Sequence, residues 1–279
     1  MFVWIASYPK SGNTLVRAMI AAYFFSNDGI FNFDLLKNFT QFPNLSFFLK
    51  LGLDPKDEEK IIKNYQNAQD IFNKRKSIQF IKTHSALLHG FTSSKQTLGA
   101  IYIVRDPRKV AVSYANHFNL SLDKATDRIL SNTTLGGIDP KNNKKRSAIT
   151  HLSSWQLHYK SWQVFDKSKK RFLLIKYEDL VNNTEETLFK ILKFVHVIMN
   201  RQFVSENSKI QNIIKSTSFD NLQRLEKTTQ FPEKAKFENE QKTFFKYGPK
   251  SLTVDMLDEN LKKKIEFLFS KEMLELGYL

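Results

Sequence analysis

The chain has 279 residues, no cysteine, 43 Lys+Arg and 28 Asp+Glu, for a net charge of +15. The missing cysteines exclude disulfide scaffolds, cysteine zinc sites, thiol nucleophiles and iron–sulfur clusters. The positive balance favours anionic partners such as nucleotides, nucleic acid, acidic glycans or a membrane surface, without choosing among them.

In chain order, Phe2-Val3-Trp4-Ile5-Ala6 reads as a short buried strand that stops at a Ser/Pro/Gly turn. From Thr14, the apolar residues Leu15, Ala18, Met19 and Ala22 fall at helical spacing. Strand, tight loop and helix together make the first half of a parallel α/β unit. Further strands are expected at 78–81, 100–104 and 172–175, each before a polar or turn-rich stretch, as parallel strands ending at a site tend to be. Helices are expected over Val110 to His117, Leu152 to Phe165 and Leu188 to Val195, the last capped by Thr184. Val254, Leu257, Leu261, Ile265 and Leu268 mark an amphipathic C-terminal helix. Residues 120–148 and 227–251 lack clear periodicity and are expected to be loops or lids.

The expected fold is one α/β domain over 1–279, with a central, mostly parallel sheet flanked by helices. A phosphate-binding loop follows its first strand. No stretch reaches the roughly 18 apolar residues of a membrane span. Charges follow the apolar N-terminus rather than precede it, the reverse of a signal peptide. A cytoplasmic location is expected.

The first loop carries the strongest chemical signal. Ser7-Tyr8-Pro9-Lys10-Ser11-Gly12-Asn13-Thr14 joins strand to helix. Free N–H groups at a helix start suit a phosphate. Gly12 admits a close approach, Ser11, Asn13 and Thr14 offer short donors, and Lys10 adds charge. The plain alternative is a capped helix after a turn. The loop is not a nucleoside-triphosphate loop, because its Lys precedes the only Gly by two residues.

With that loop, the sequence resembles the cytosolic-type sulfotransferases, which use 3′-phosphoadenosine 5′-phosphosulfate (PAPS). Four further stretches resemble that family in order: Lys82-Thr83-His84, Arg105-Asp106-Pro107-Arg108-Lys109-Val110-Ala111-Val112-Ser113-Tyr114, Tyr177-Glu178-Asp179-Leu180 and Thr217-Ser218-Phe219. The resemblance implies that His84 is the general base, that Lys10 meets charge on the bridging oxygen, and that Lys82 contacts the transferring group. It implies that Lys10, Ser11, Gly12, Asn13 and Thr14 hold the 5′-phosphosulfate, and that Arg105 and Ser113 hold the 3′-phosphate. Tyr177 and Thr217-Ser218-Phe219 would line the adenosine. No metal is implied. An alternative for Arg105-Asp106-Pro107-Arg108 is a capped helix start with a local ion pair. Tyr177-Glu178-Asp179 has the alternative of a strand-to-helix turn. His117 and Asn116 are expected beneath the site. The Lys141 to Arg146 run is expected to be a solvated loop.

The resemblance has gaps. Leu15 stands where the family has an adenine-stacking Trp, and no Pro follows Lys82-Thr83-His84-Ser85. The C-terminal cofactor loop matches only at Lys246 and Gly248, with Lys250 as a candidate substitute contact. The family's dimer signature is incomplete around Thr253-Val254, which leaves the oligomeric state open.

The resemblance thus implies sulfuryl transfer from PAPS to a hydroxyl or amine of a small-molecule, lipid or glycan acceptor, with no nucleic-acid partner. The competing readings are an ATP-dependent small-molecule kinase and a non-enzymatic polyanion binder. Phe25, Phe31, Phe33, Phe39, Phe42, Phe47 and Phe48 make residues 25–48 aromatic. That segment and 120–148 are expected to form the acceptor wall and lid.

Overall fold

A computed structural model of the chain describes residues 1–54, 56–73, 78–93, 95–138, 145–168, 171–229, 231, 233, 236–237, 240–241, 243–248 and 253–279. Five strands form the central sheet or its edge: β1 (Phe2–Ser7), β2 (Thr40–Gln41), β3 (Gln79–Thr83), β4 (Thr97–Val104) and, after a separate ribbon of β5 (Thr134–Ile138) and β6 (Lys145–His151), β7 (Phe172–Lys176). The helices run α1 (Asn13–Phe25), α2 (Leu45–Lys50), α3 (Glu58–Lys63), α4 (Tyr65–Asn73), α5 (Pro107–Phe118), α6 (Leu122–Leu130), α7 (Trp155–Trp162), α8 (Tyr177–Asn182), α9 (Thr184–Ile198), α10 (Asn207–Ser216), α11 (Phe219–Thr228) and α12 (Glu259–Glu275).

The sheet order is β2-β3-β1-β4-β7, and every pairing in it is parallel. All six residues of β1 are buried, as a central parallel strand covered on both faces requires. Alternation divides its side chains between two cores. Phe2, Trp4 and Ala6 join Tyr102, Trp155, Trp162 and Phe269 on one face. Val3 and Ile5 join Ile101, Ile103, Ile175, Ile191 and Leu192 on the other. On the first face, Trp4 Nε1 donates to Thr97 Oγ1 at 3.1 Å, so its polar atom is satisfied inside the core.

The chain winds from β1 to β3 on one side and to β4 on the other. That reversal opens a crevice beyond the carboxyl ends of the strands. The register aligns those ends: Ala6 sits beside Thr83, Ser7 beside Ile103 and Val104 beside Lys176. The next residues along each strand carry Lys10, His84, Arg105 and Tyr177 to one edge.

The expected strands and helices are present, with shifted ends. Asn183, not Thr184, precedes α9; it also ends α8, and its side chain makes no capping bond. The C-terminal helix starts at Glu259, because Asp258 caps it through the N–H groups of Asn260 and Leu261. Val254 therefore lies in a separate short turn. Residues 120–148 are not a loop throughout. Ser121 caps α6, which buries Ala125, Thr126 and Ile129, and β5 pairs antiparallel with β6. The adjacent glycines Gly136 and Gly137 had hidden the strand alternation. Short strands at 236–237 and 240–241 pair within the other expected loop. Residues 141–144 of the basic run, and Lys250, lie outside the described residues.

Among the described residues, no helix is long and apolar enough to cross a membrane.

Candidate active site

A cleft of about 990 Å³ opens at the carboxyl edge of the sheet. It brings together Lys10, Gly12, Asn13, Thr14, Lys82, His84, Arg105, Ser113, Tyr177, Thr217, Ser218, Phe219, Lys246 and Gly248. Ser11 lies behind this surface and is fully buried.

The first loop is wound to present its backbone. Lys10 and Gly12 are both left-handed, with φ of 69° and 103°. Such alternation gathers successive N–H groups toward an anion. Gly12 starts α1 without any side-chain cap, so no side chain of the cap takes up the N–H groups at the helix start, which adjoins the cleft. A Cβ at Gly12 would come within 2.5 Å of Tyr177 Cδ2. Gly12→Ala should therefore displace the Tyr177 ring and strain the loop by about 1–3 kcal/mol. The expected result is weaker nucleotide binding with a small drop in melting temperature, read by calorimetric titration and thermal unfolding.

Arg105 leaves β4 and donates from Nη1 to the Lys10 carbonyl at 3.1 Å, while its guanidinium lies 4.1 Å from the Tyr177 ring centroid. Its Nε and the Ser11 hydroxyl are buried without a partner among the described residues. Buried donors left in that condition are costly unless a ligand completes them. The capped-helix reading belongs to the next residues. Asp106 caps α5 and pairs with Arg108, which also reaches Glu266.

Not every nominated side chain is free for a ligand. Asn13 Nδ2 donates to the Ile5 carbonyl at 3.0 Å, and Asn13 Oδ1 accepts from Arg17 Nε at 2.8 Å. Its backbone N–H remains at the helix start. Thr217 Oγ1 donates to the Ile213 carbonyl, and Ser218 caps α11. Phe219 offers its ring to the cleft and packs closely on Gly248: a Cβ there would sit 3.1 Å from the ring, which would have to give slightly.

His84 is oriented by two contacts. Its Nδ1 is 2.8 Å from the Ser7 carbonyl, which can only accept, so Nδ1 carries the proton and Nε2 keeps its lone pair. The His84 carbonyl accepts from His158 Nε2 at 3.1 Å, and Tyr102 O–H donates to His158 Nδ1 at 2.8 Å. Burial, helped by the charge of Lys82, pulls His84 down to about 3, so it is neutral in the empty cleft. An anion bound nearby favours the imidazolium and moves it back toward its ordinary range.

Lys10 lies 3.7 Å from the Phe244 ring centroid, and burial with the neighbouring Arg105 lowers its ammonium to about 7. Burial also lowers Lys82, against the opposing pull of Glu233. Burial would raise the Glu233 carboxyl, but Arg17 and Lys82 outweigh it and hold it well below the carboxylate range.

Sequence reasoning missed four residues that shape the site. Glu233 accepts from Arg17 and Lys82. Arg17 stands one turn after Asn13, the single local hint of a shared role. Glu226 accepts the N–H groups of Phe244 and Phe245 at 2.6 and 2.9 Å, which seats the segment carrying Lys246 and Gly248. His158 supports the His84 backbone.

Two expectations for the acceptor side change. His117 lies on the cleft wall rather than beneath it, its ring 5.6 Å from that of Phe244. Within 25–48, only Gln41 and Phe42 line the cleft. Phe31 and Phe33 belong to one core, Phe48 to the other. Phe118, Leu135 and Thr150 line the same cleft.

The family model described as the sulfotransferase domain matches residues 2–277. The chain belongs to the sulfotransferase domain family. Among solved structures, retinol dehydratase in complex with androsterone and the inactive cofactor PAP (adenosine 3′,5′-bisphosphate) superposes on this family member with a TM-score of 0.61 at 17% identity, covering 98% of this chain and 80% of that one. The mouse sulfotransferase SULT7A1, complexed with PAP, gives a TM-score of 0.59 at 18% identity, covering 98% and 84%. Retinol dehydratase with retinol and PAP gives 0.62 at 17%, covering 98% and 81%. These likenesses reinforce the fold of a sulfotransferase domain.

Proposed function

We propose that this sulfotransferase moves a sulfuryl group from PAPS to the hydroxyl of a small apolar acceptor. The observation that carries the reading is the first loop and its neighbour on the cleft wall: left-handed Lys10 and Gly12, a helix start at Gly12 with no side-chain cap, and the guanidinium of Arg105 beside them. They suit the phosphates of a 3′,5′-substituted nucleotide, which PAP-bound relatives of the same fold hold.

PAPS supplies a sulfuryl group already activated by its 5′-phosphate. Lys10 and the first-loop N–H groups hold that phosphate, and Arg105 and Ser113 hold the 3′-phosphate. Tyr177 and Phe219 flank the base. His84 Nε2 takes the proton from the acceptor hydroxyl as its oxygen bonds to sulfur. Lys10 meets the electron pair left on the 5′-phosphate oxygen when the sulfur–oxygen bond breaks. Lys82 faces the oxygens of the transferring group. Phe42, Phe118 and Leu135 support an apolar acceptor body, in keeping with the androsterone and retinol bound by the relatives.

Incubation with sulfur-labelled PAPS and a panel of sterols, phenols and aliphatic alcohols tests this. Label should pass to at least one apolar alcohol. Retention of all label on the nucleotide across the panel contradicts the acceptor class.

Nucleotide affinity should depend on pH through Lys10. Its protonated form is the one an anion prefers, and it loses its proton near 7 in the empty cleft. Above that pH the phosphates are already ionised, since their second pKa is about 6. Binding must then take up a proton, and PAP affinity should fall by up to about tenfold per pH unit. In Lys10→Met that slope should vanish.

A further inference from the structure

A carboxylate occupies the cationic end of the cleft. Glu233 Oε1 accepts from Lys82 Nζ at 2.8 Å, and both of its oxygens accept from Arg17 Nη2 at 2.8 Å. Thr14 Oγ1 donates to Oε2 at 3.1 Å. The Arg17 side chain is 2% exposed and that of Lys82 10%. Phe231, two residues before Glu233, packs on Phe33 and Phe244 and anchors this part of the chain.

An ammonium, a guanidinium and a hydroxyl beside a helix N-terminus form a cradle suited to an oxyanion. Lys82 is also the group assigned above to the transferring end of PAPS, and Thr14 belongs to the loop assigned to its 5′-phosphosulfate. A carboxylate there fills an anion site with the chain's own charge. It also spares two buried cations from standing unpaired, which would be strongly destabilising.

We propose that Glu233 is an internal stand-in for the sulfuryl group, holding Lys82 and Thr14 in the empty enzyme and yielding them when the donor seats. The inference rests on the reading of this cleft as a PAPS site. It sets the donor apart from the spent product. PAPS carries a sulfuryl group that competes with the Glu233 carboxylate. PAP has none, so it can bind while Glu233 keeps its partners. Glu233 then sets how strongly the enzyme prefers donor over product.

Calorimetric titration of PAPS and of PAP into the wild type, Glu233→Gln and Glu233→Ala tests this. Removing the competing charge should tighten PAPS by about tenfold or more, the scale of a close charge pair, and change PAP far less. Empty Glu233→Ala should melt below the wild type, and PAPS should recover more of its stability than PAP does. Glu233→Gln keeps the side-chain shape and carries the comparison if the alanine variant does not fold. Unchanged or weakened PAPS binding in Glu233→Gln, with PAP still bound, overturns the inference: Glu233 would then be a partner that positions Lys82 throughout. Failure of both nucleotides to bind the wild type removes the PAPS reading itself instead.

Discussion

His84→Ala is expected to lower sulfuryl transfer by roughly 10²–10⁴-fold, the contribution of a positioned general base, and to leave PAP affinity unchanged. The expectation follows from the placement of the ring. Its Nδ1 proton is committed to the Ser7 carbonyl, which leaves Nε2 as the proton acceptor. None of the donors assigned to phosphate is lost with it. Single-turnover rates with saturating PAPS, beside a PAP titration, separate the two effects. Full activity in the variant would remove His84 as the base. Loss of PAP affinity in parallel would make it a structural support of the first loop.

Lys10→Ala is expected to damage both steps. Its ammonium would bind the 5′-phosphate in the ground state and meet additional charge as the leaving oxygen forms. Losing one such stabilising group costs on the order of 10²–10³ in turnover. Losing a charge-assisted contact of roughly 1.5–3 kcal/mol weakens PAP by about tenfold to a hundredfold. Removing the side chain also takes away the ammonium's contact with the Phe244 ring, so thermal unfolding is read beside the titration. Turnover that falls while PAP affinity holds would place Lys10 on the transferring group alone. Loss of affinity with intact turnover at saturation would leave it no part in the bond-breaking step.

Much of this was readable because the chemistry lies in short contiguous stretches. Each follows a parallel strand, and parallel strands in register deliver their carboxyl ends to one edge. Lys10, His84, Arg105 and Tyr177 therefore meet although they are far apart in sequence. The cleft partners that escaped notice lack such local order. Glu233 meets Arg17 across 216 positions and Lys82 across 151. Neither its neighbours in sequence nor its spacing signals an ion pair. Glu226 works through backbone N–H groups, which have no sequence signature at all. His158 supports His84 through a main-chain carbonyl for the same reason.

The phenylalanine-rich segment shows a different limit. A run of aromatic residues reads alike whether it lines a cleft or fills a core. Phe33 packs against Phe231 and Phe245, and Phe48 against Phe42 and Tyr65, so these rings are consumed by packing. Only Phe42 touches both core and cleft. The helix at 122–130 was present in the spacing of Ala125 and Ile129, but polar residues and glycines on its C-terminal side diluted the pattern. Leu15 lies on the cleft wall where the family has Trp, so Phe219 and Tyr177 carry the aromatic contact with the base in this reading.

The 3′-phosphate is the feature of the nucleotide that this cleft is proposed to read. Calorimetric titration with PAP, beside 5′-AMP and Mg·ATP, measures that discrimination. Clear preference for PAP is expected, because Arg105 and Ser113 have no phosphate to hold in the other two. Equal or tighter binding of Mg·ATP would contradict this reading and mean that the loops serve phosphoryl rather than sulfuryl transfer.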